Sequence, residues 1–287
     1  MIHIKDAHSK YKEHIRGSGR SPHTIRSYDR HIDDLIKFLE EIKREHAHLV
    51  TKEDLQEFIK KLAKDSKSPK SINSKTVALK SFFRFLELNE FVTKNPAHAL
   101  EYLKEKEQKP RILSVVEYRA LRDAAKEDKR YFAIIELMLQ TGITTGELER
   151  IKISDIHLDG NAKLDVRDRK DEISRTIPLN SHARNAIEEY LKIRPKAKND
   201  TLFITKTGKK LDPRNIRQAI SSCYKKAGIE DAKVHDLRHT FCAHHLKKGT
   251  SMAAVAYIAG HRNLNTTKKY LEFIKEPETE EFEKNAL

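Results

Sequence analysis

Two features common in other protein classes are nearly absent from this sequence: cysteine and long apolar runs. Only Cys223 and Cys242 occur in 287 residues, too few for a disulfide framework in a chain of this size, and no charged-then-apolar signal segment opens the sequence. Both point to the cytosol. The longest apolar stretch, Met252 to Gly260, falls far short of the roughly 20 residues a membrane span needs. Hydrophobic residues make up only 38% of the chain, yet they recur in regular stripes, which excludes a disordered chain and predicts a helical, charge-rich one. What the sequence has in excess is positive charge. Its 57 Lys+Arg outweigh 43 Asp+Glu by 14, and the surplus is +6 before Pro110 and +8 after it, so both halves suit a polyanion such as nucleic acid. A membrane surface also fits the charge, and Lys-rich helices can simply be solvated faces.

The length predicts one large or two smaller domains, and the pattern favours two. From about Ile4 to Leu100 it reads as helices. Ser21-Pro22 is a cap followed by proline at the first helical position, and Ile25, Tyr28, Ile32, Leu35, Ile36 and Leu39 recur every three or four residues. Val77, Leu79, Phe82, Phe83, Phe85 and Leu86 form a second apolar set, with Lys60, Lys64, Lys67, Lys70 and Lys75 before it as candidates for phosphate contacts. Residues 103–110 are charged, lack periodicity and end in Pro110, the pattern of an interdomain linker. The expected organisation is therefore an all-helical domain over 1–102, a linker over 103–110 and a second domain over 111–287. In that second domain, Ser114 to Lys126 and Tyr131 to Gln140 read as helices. Lys163 to Leu179 changes period and reads as a β-hairpin with a polar tip at Arg169 to Glu172. Helices return with Asp212-Pro213 as a start, and with Gly249 and Gly260 where helix ends want positive φ. The fold class is mainly α with a small sheet in the C-terminal domain.

The densest run of reactive side chains is Val234 to His245. On a helix His235 and Arg238, three apart, share a face and present an imidazole and a guanidinium fork together, a pairing suited to phosphate. Alone, the two would read equally well as a polar residue and a surface salt bridge. His235, His239, Cys242 and His245 also raise a zinc reading. Against it, the metalloprotease Glu is missing and helical geometry spreads the four over more than one face.

The residues C-terminal to that run decide between these possibilities. The stretch from His235 to Phe273 resembles the C-terminal signature of tyrosine recombinases (phage integrases): a His-x-x-Arg box, an apolar helix, Gly260-His261, then Thr266-Thr267 and Tyr270 nine residues past His261. Upstream, Leu139 to Ile156 resembles the family's first box, Arg169 to Leu179 its hairpin with a lysine at the tip, and Ser21 to Glu40 the helical N-terminal DNA clamp of Xer-type members. The resemblance implies a SAM-like core-binding domain and a catalytic domain closing as a C-shaped clamp on duplex DNA. It implies strand cleavage and rejoining through a 3′-phosphotyrosyl link on Tyr270, without metal or cofactor. His235, Arg238 and His261 would surround the scissile phosphate, Lys170 would protonate the departing 5′-oxygen, and Glu147 and Asp155 would support the site. The DNA-bound state implied is a dimer on each of two sites, joined in a tetrameric synapse. The tail from Ile274 to Leu287 would dock on a neighbouring subunit.

One position departs from the pattern. Thr144 stands where the first box carries its catalytic arginine, and a hydroxyl cannot make the bidentate, charge-assisted contact of a guanidinium. Losing such a group can cost on the order of 10³-fold, roughly 4 kcal/mol. Three explanations compete: a surrogate cation (Arg150, Arg167 or Arg169), a slow but active enzyme, or a DNA-binding relative that no longer cuts. Chromosome-dimer resolution and mobile-element integration or excision are the activities consistent with the resemblance.

Overall fold

The computed structural model describes residues 1–65, 67–105 and 109–274, and contacts divide the chain into two units, Met1–Glu107 and Gln108–Leu287. Residues 106–108 of the expected linker and 275–287 of the expected docking tail lie outside the described residues.

Among its described residues the first unit has four α-helices, α1 (Ile4–Arg16), α2 (Pro22–Glu41), α3 (Lys52–Lys64) and α4 (Pro69–Leu88), with a 3-10 turn at Ala47–Leu49 before α3. Ser21 caps α2 by accepting from Thr24 N at 3.0 Å, and Ser68 caps α4 by accepting from Ser71 N at 3.3 Å, each followed by proline at the first helical position. Thr51 and Asp54 cap α3 reciprocally. The core joins the α2 stripe Ile32, Leu35, Ile36 and Leu39 to Phe82, Phe83 and Leu86 of α4. Tyr11 of α1 closes it, donating to Ser81 Oγ at 2.8 Å.

Two residues of α4 depart from expectation. Val77 is exposed, because it falls about 200° round the helix from Leu79. Lys75, expected at the DNA, shares the inward face with Leu79 and Phe82; it is only 8% exposed and ion-paired with Asp34 of α2. Lys60, Lys64, Lys67 and Lys70 are exposed. The start of the expected linker is also held: Leu103 N donates to Asn73 Oδ1 at 2.8 Å, Asn73 Nδ2 donates to Leu103 O at 2.9 Å, and the Leu103 side chain packs on the helical core.

The second unit runs α5 (Val115–Ala125), α6 (Lys129–Thr141), α7 (Thr145–Leu148), β1 (Ile156–His157), β2 (Lys163–Arg167), β3 (Ile173–Pro178), α8 (Ser181–Ile193), α9 (Pro213–Lys226), α10 (His235–Lys247), α11 (Met252–Ala259) and α12 (Leu264–Ile274). The hairpin β2–β3 is extended by β1 into an antiparallel sheet of order β1-β2-β3. Leu164, Val166 and Ile177 face the core, and Arg175, paired across the ladder with Val166, lies on that same buried face. Helices α6 and α10 meet where Gly142 ends α6 at φ +65; a Cβ there would lie 2.5 Å from the Phe241 ring, so the close approach requires glycine. Among the described residues no helix is long and apolar enough to cross a membrane.

Candidate active site

The end of α6, the short helix α7, strand β3, the start of α10, the end of α11 and the middle of α12 converge on one cluster. Arg238, on the first turn of α10, is buried and donates through Nη1 to the carbonyls of Gly142, at 2.8 Å, and Ala259. Burial pulls its pKa below the usual guanidinium value, yet an arginine stays charged in a protein.

Tyr270, on α12, is 4% exposed, and its hydroxyl lies 2.6 Å from Nδ1 of His239 on α10. It also contacts the Cys242 thiol. Burial and then Cys242 push the phenol pKa up, with Arg238 pulling against them. The Cys242 thiol is itself pushed up to about 11, chiefly by burial. His239 is lowered to about 4 by burial and then by the charges of His235 and Arg238. His261 stacks on the Tyr270 ring at 6.2 Å between centroids, holds Thr267 Oγ1 at 2.7 Å through Nδ1, and is lowered to about 4 by burial, then Arg238. His235 is exposed at the start of α10, its ring crowded edge-on by His239 at 4.6 Å, and partial desolvation followed by Arg238 lowers its pKa. The permanent positive charge here is therefore carried by guanidinium.

Thr144 is not idle. It is the N-cap of α7, and Glu147 Oε2 accepts from both its backbone N at 2.8 Å and its hydroxyl at 2.9 Å. The other oxygen of Glu147 accepts from Arg175 Nη1 at 2.7 Å. Burial raises the Glu147 pKa, but Arg175 and Thr144 together outweigh it and hold the carboxyl below its ordinary range. Arg175 also donates from Nε to Ile258 O at 2.9 Å and from Nη2 to Ala259 O at 3.3 Å.

Arg167 is held by Asp155, which accepts from Nε at 2.9 Å and from Nη2 at 2.7 Å, so this pair braces β2 against the segment before β1. Arg169 is exposed at the hairpin tip, and Arg150 is half-buried with an Nε that meets no partner among the described residues. Lys170 is exposed on the same tip, where its backbone N donates to Asp168 Oδ1 at 2.7 Å; among the described residues no hydrogen bond joins its ammonium to Tyr270. The residues that sequence reasoning left out are Arg175 and the partnership of His239 with Tyr270. Strand alternation carried a signal for the first: Arg175 is two residues from Ile177 and so faces inward. Of the four side chains of the zinc reading, His239 and Cys242 both meet the Tyr270 hydroxyl, His235 packs edge-on against His239, and His245 faces Thr250 Oγ1. A different trio, His8, Asp29 and Asp33, brings ligand-type atoms together in the first unit, where Lys12 Nζ already sits 2.7 Å from Asp29.

A two-unit chain whose mainly helical second unit gathers arginine, histidine and tyrosine in one cluster has the make-up of a DNA strand transferase. The chain belongs to the phage integrase family of tyrosine recombinases, enzymes that cleave and rejoin DNA at specific sites: the family model matches residues 103–276, and the phage integrase N-terminal SAM-like domain matches residues 9–90. Tyrosine recombinase XerC of Staphylococcus aureus (strain USA300) is 31% identical over 281 residues, 94% of this chain and 92% of that protein. XerC of Thermodesulfovibrio yellowstonii is 30% identical over 277 residues, 91% and 90% of the two chains. The crystal structure of XerA recombinase shares 27% identity at a TM-score of 0.57, covering 98% of this chain and 99% of that one. The fold is also that of a lambda integrase dimer bound to a COC′ core site, with a TM-score of 0.77, 18% identity and 92% and 97% coverage. XerH bound to its palindromic difH substrate in a post-cleavage complex gives a TM-score of 0.77, 20% identity and 90% and 78% coverage.

Proposed function

We propose that this recombinase cuts duplex DNA through Tyr270. The phenolic oxygen bonds to the scissile phosphorus and its proton passes to His239 Nδ1. The bond from phosphorus to the 5′-oxygen then breaks, leaving a 3′-phosphotyrosyl link and a 5′-hydroxyl protonated by Lys170 as the hairpin tip meets DNA. Arg238, His235 and His261 donate to the non-bridging oxygens as charge builds on them, which favours the transition state over the ground state. Rejoining reverses the step with another 5′-hydroxyl and conserves the phosphodiester, so no cofactor is needed. The observation that carries this reading is the 2.6 Å contact of Tyr270 with a neutral imidazole, beside buried Arg238. A phenol titrating near 10 in isolation attacks at neutral pH only with such help.

The DNA-bound relatives support a DNA partner, and the lambda integrase dimer on its core site supports two copies on each site; a tetramer at synapsis belongs to the same reading. The same reading places the protein in the cytoplasm and its domain boundaries at 1–102, 103–110 and 111–287. A DNA-binding relative without cleavage is the competing reading, and Thr144 is its support. Covalent capture separates the two. Nicked suicide duplexes bearing selected sites should yield a denaturant-stable adduct with the natural chain and none with Tyr270→Phe. Specific binding without an adduct establishes the competing reading.

A further inference from the structure

We infer that Arg175 is the second guanidinium of the scissile-phosphate site, taking the charge-neutralising role that Thr144 cannot perform. The inference rests on Tyr270 being the nucleophile and begins with where Arg175 sits. It occupies an inward position of β3 opposite Val166, where the neighbouring inward residues Leu164, Val166 and Ile177 are all fully buried aliphatics. A permanently charged group in such a place is costly unless it is matched.

The match within the chain is incomplete. A guanidinium offers five N–H donors, and the acceptors that reach Arg175 are Glu147 Oε1, Ile258 O and Ala259 O. Donor capacity therefore remains on both terminal nitrogens. Arg238 uses the same Ala259 carbonyl, so two guanidiniums stand against one backbone oxygen, and Glu147 is the carboxylate that both face. With His239 and His261 neutral at pH 7, the pocket keeps an excess positive charge. Like charges brought this close call for an anion between them, and a phosphodiester's two non-bridging oxygens fit a pair of forks.

The surroundings fix the guanidinium in place. Gly260 has φ +76, and a Cβ there would lie 2.6 Å from both Cζ and Nη1 of Arg175, so the bare backbone of the loop carrying His261 lies directly on the guanidinium. Thr144 completes the arrangement. By holding Glu147 Oε2 with two donors it leaves Oε1 aimed at Arg175. The threonine is thus the far end of a chain, Thr144 to Glu147 to Arg175, that orients a cation supplied from the hairpin strand.

The test measures adduct formation under single-turnover conditions on two suicide duplexes, one with the natural scissile phosphate and one with a methylphosphonate there, in each stereoisomer. The methyl group removes the charge that Arg175 is held to neutralise. Arg175→Ala should slow adduct formation by about 10³-fold on phosphate, and by less than about tenfold on the stereoisomer lacking the oxygen it meets. A loss of equal size on all substrates shows a merely structural role and overturns the proposal, as does no loss on phosphate. If Arg175→Ala does not fold, Arg175→Met combined with Glu147→Gln leaves no unpaired buried charge and is read by the same ratio. Failure of the natural chain to form any adduct would instead refute the Tyr270 reading, and this proposal with it.

Discussion

The Glu147–Arg175 pair should be strongly coupled in stability. Its side chains are 16% and 7% exposed and meet at 2.7 Å, so removing either partner strands the other where water cannot replace it. Breaking a buried pair typically costs 3–5 kcal/mol. Glu147→Gln still accepts from Thr144 and Arg175→Met keeps most of the volume, so each single change should cost about 3 kcal/mol, at the lower end of that range. The double variant leaves no orphan charge and should fall well short of the sum, giving a coupling energy of about 2 to 3 kcal/mol. The sequence has no tryptophan, and two units need not unfold together, so the suitable assay is native-state hydrogen exchange on the full chain, read from peptides of α6 and α10. Single losses below about 1 kcal/mol, or additivity within about 0.5 kcal/mol, would show that the two side chains do not depend on each other.

The first unit should weaken in mild acid. His31 is buried and lowered to about 4, first by burial and then by Lys75 and Arg30, whereas unfolded it titrates near 6.5. Between those values the unfolded chain binds the extra proton. About 3 kcal/mol of stability present above pH 6.5 is therefore lost as pH falls towards 4, a slope that His31→Gln should flatten in exchange measured at pH 7.5 and 4.5. Gly260→Ala should cost more than Gly249→Ala. Both sit at positive φ, about 1–2 kcal/mol for a residue with Cβ, but the space around Gly249 is open while Gly260 abuts Arg175; equal melting shifts would deny that contact. Thr144→Arg should leave adduct formation unchanged or slower, because it removes the α7 cap and a donor to Glu147 and crowds a third cation beside Arg175 and Arg238. A gain above about tenfold would mean that no surrogate is in place.

Much of this fold is written in local signals. Ser21-Pro22 and Asp212-Pro213 start helices because a side-chain oxygen and a missing N–H both suit the first turn. Gly249 and Gly260 take the positive φ their positions suggested. The hairpin follows from its change of period, though β1 is only two residues long and carries too little pattern to be seen. Lys75 illustrates the limit of reading charge as surface: helical spacing from Leu79 and Phe82 turned it inward, and the partner that made this tolerable, Asp34, lies 41 residues away. The site shows the same division. Tyr270 and His261 were proposed from a family resemblance whose whole signature lies within one segment. Arg175 reaches Ile258 across 83 residues and Tyr270 reaches His239 across 31, and such contacts leave no periodic trace.

Thr144 reads differently once those contacts are in view. Along the chain it is a hydroxyl in place of a guanidinium. In the folded unit it caps a helix of four residues, too short to satisfy its own first N–H groups, and steadies the carboxylate that orients Arg175. Had the cluster lost its anion, the arrangement left behind would be hard to account for: apolar residues generally serve a core as well as a buried ion pair does, and two guanidiniums on one carbonyl repel. An anion relieves that repulsion at once. The site is better understood as one whose second cation comes from β3 than as one that has lost a cation from α7.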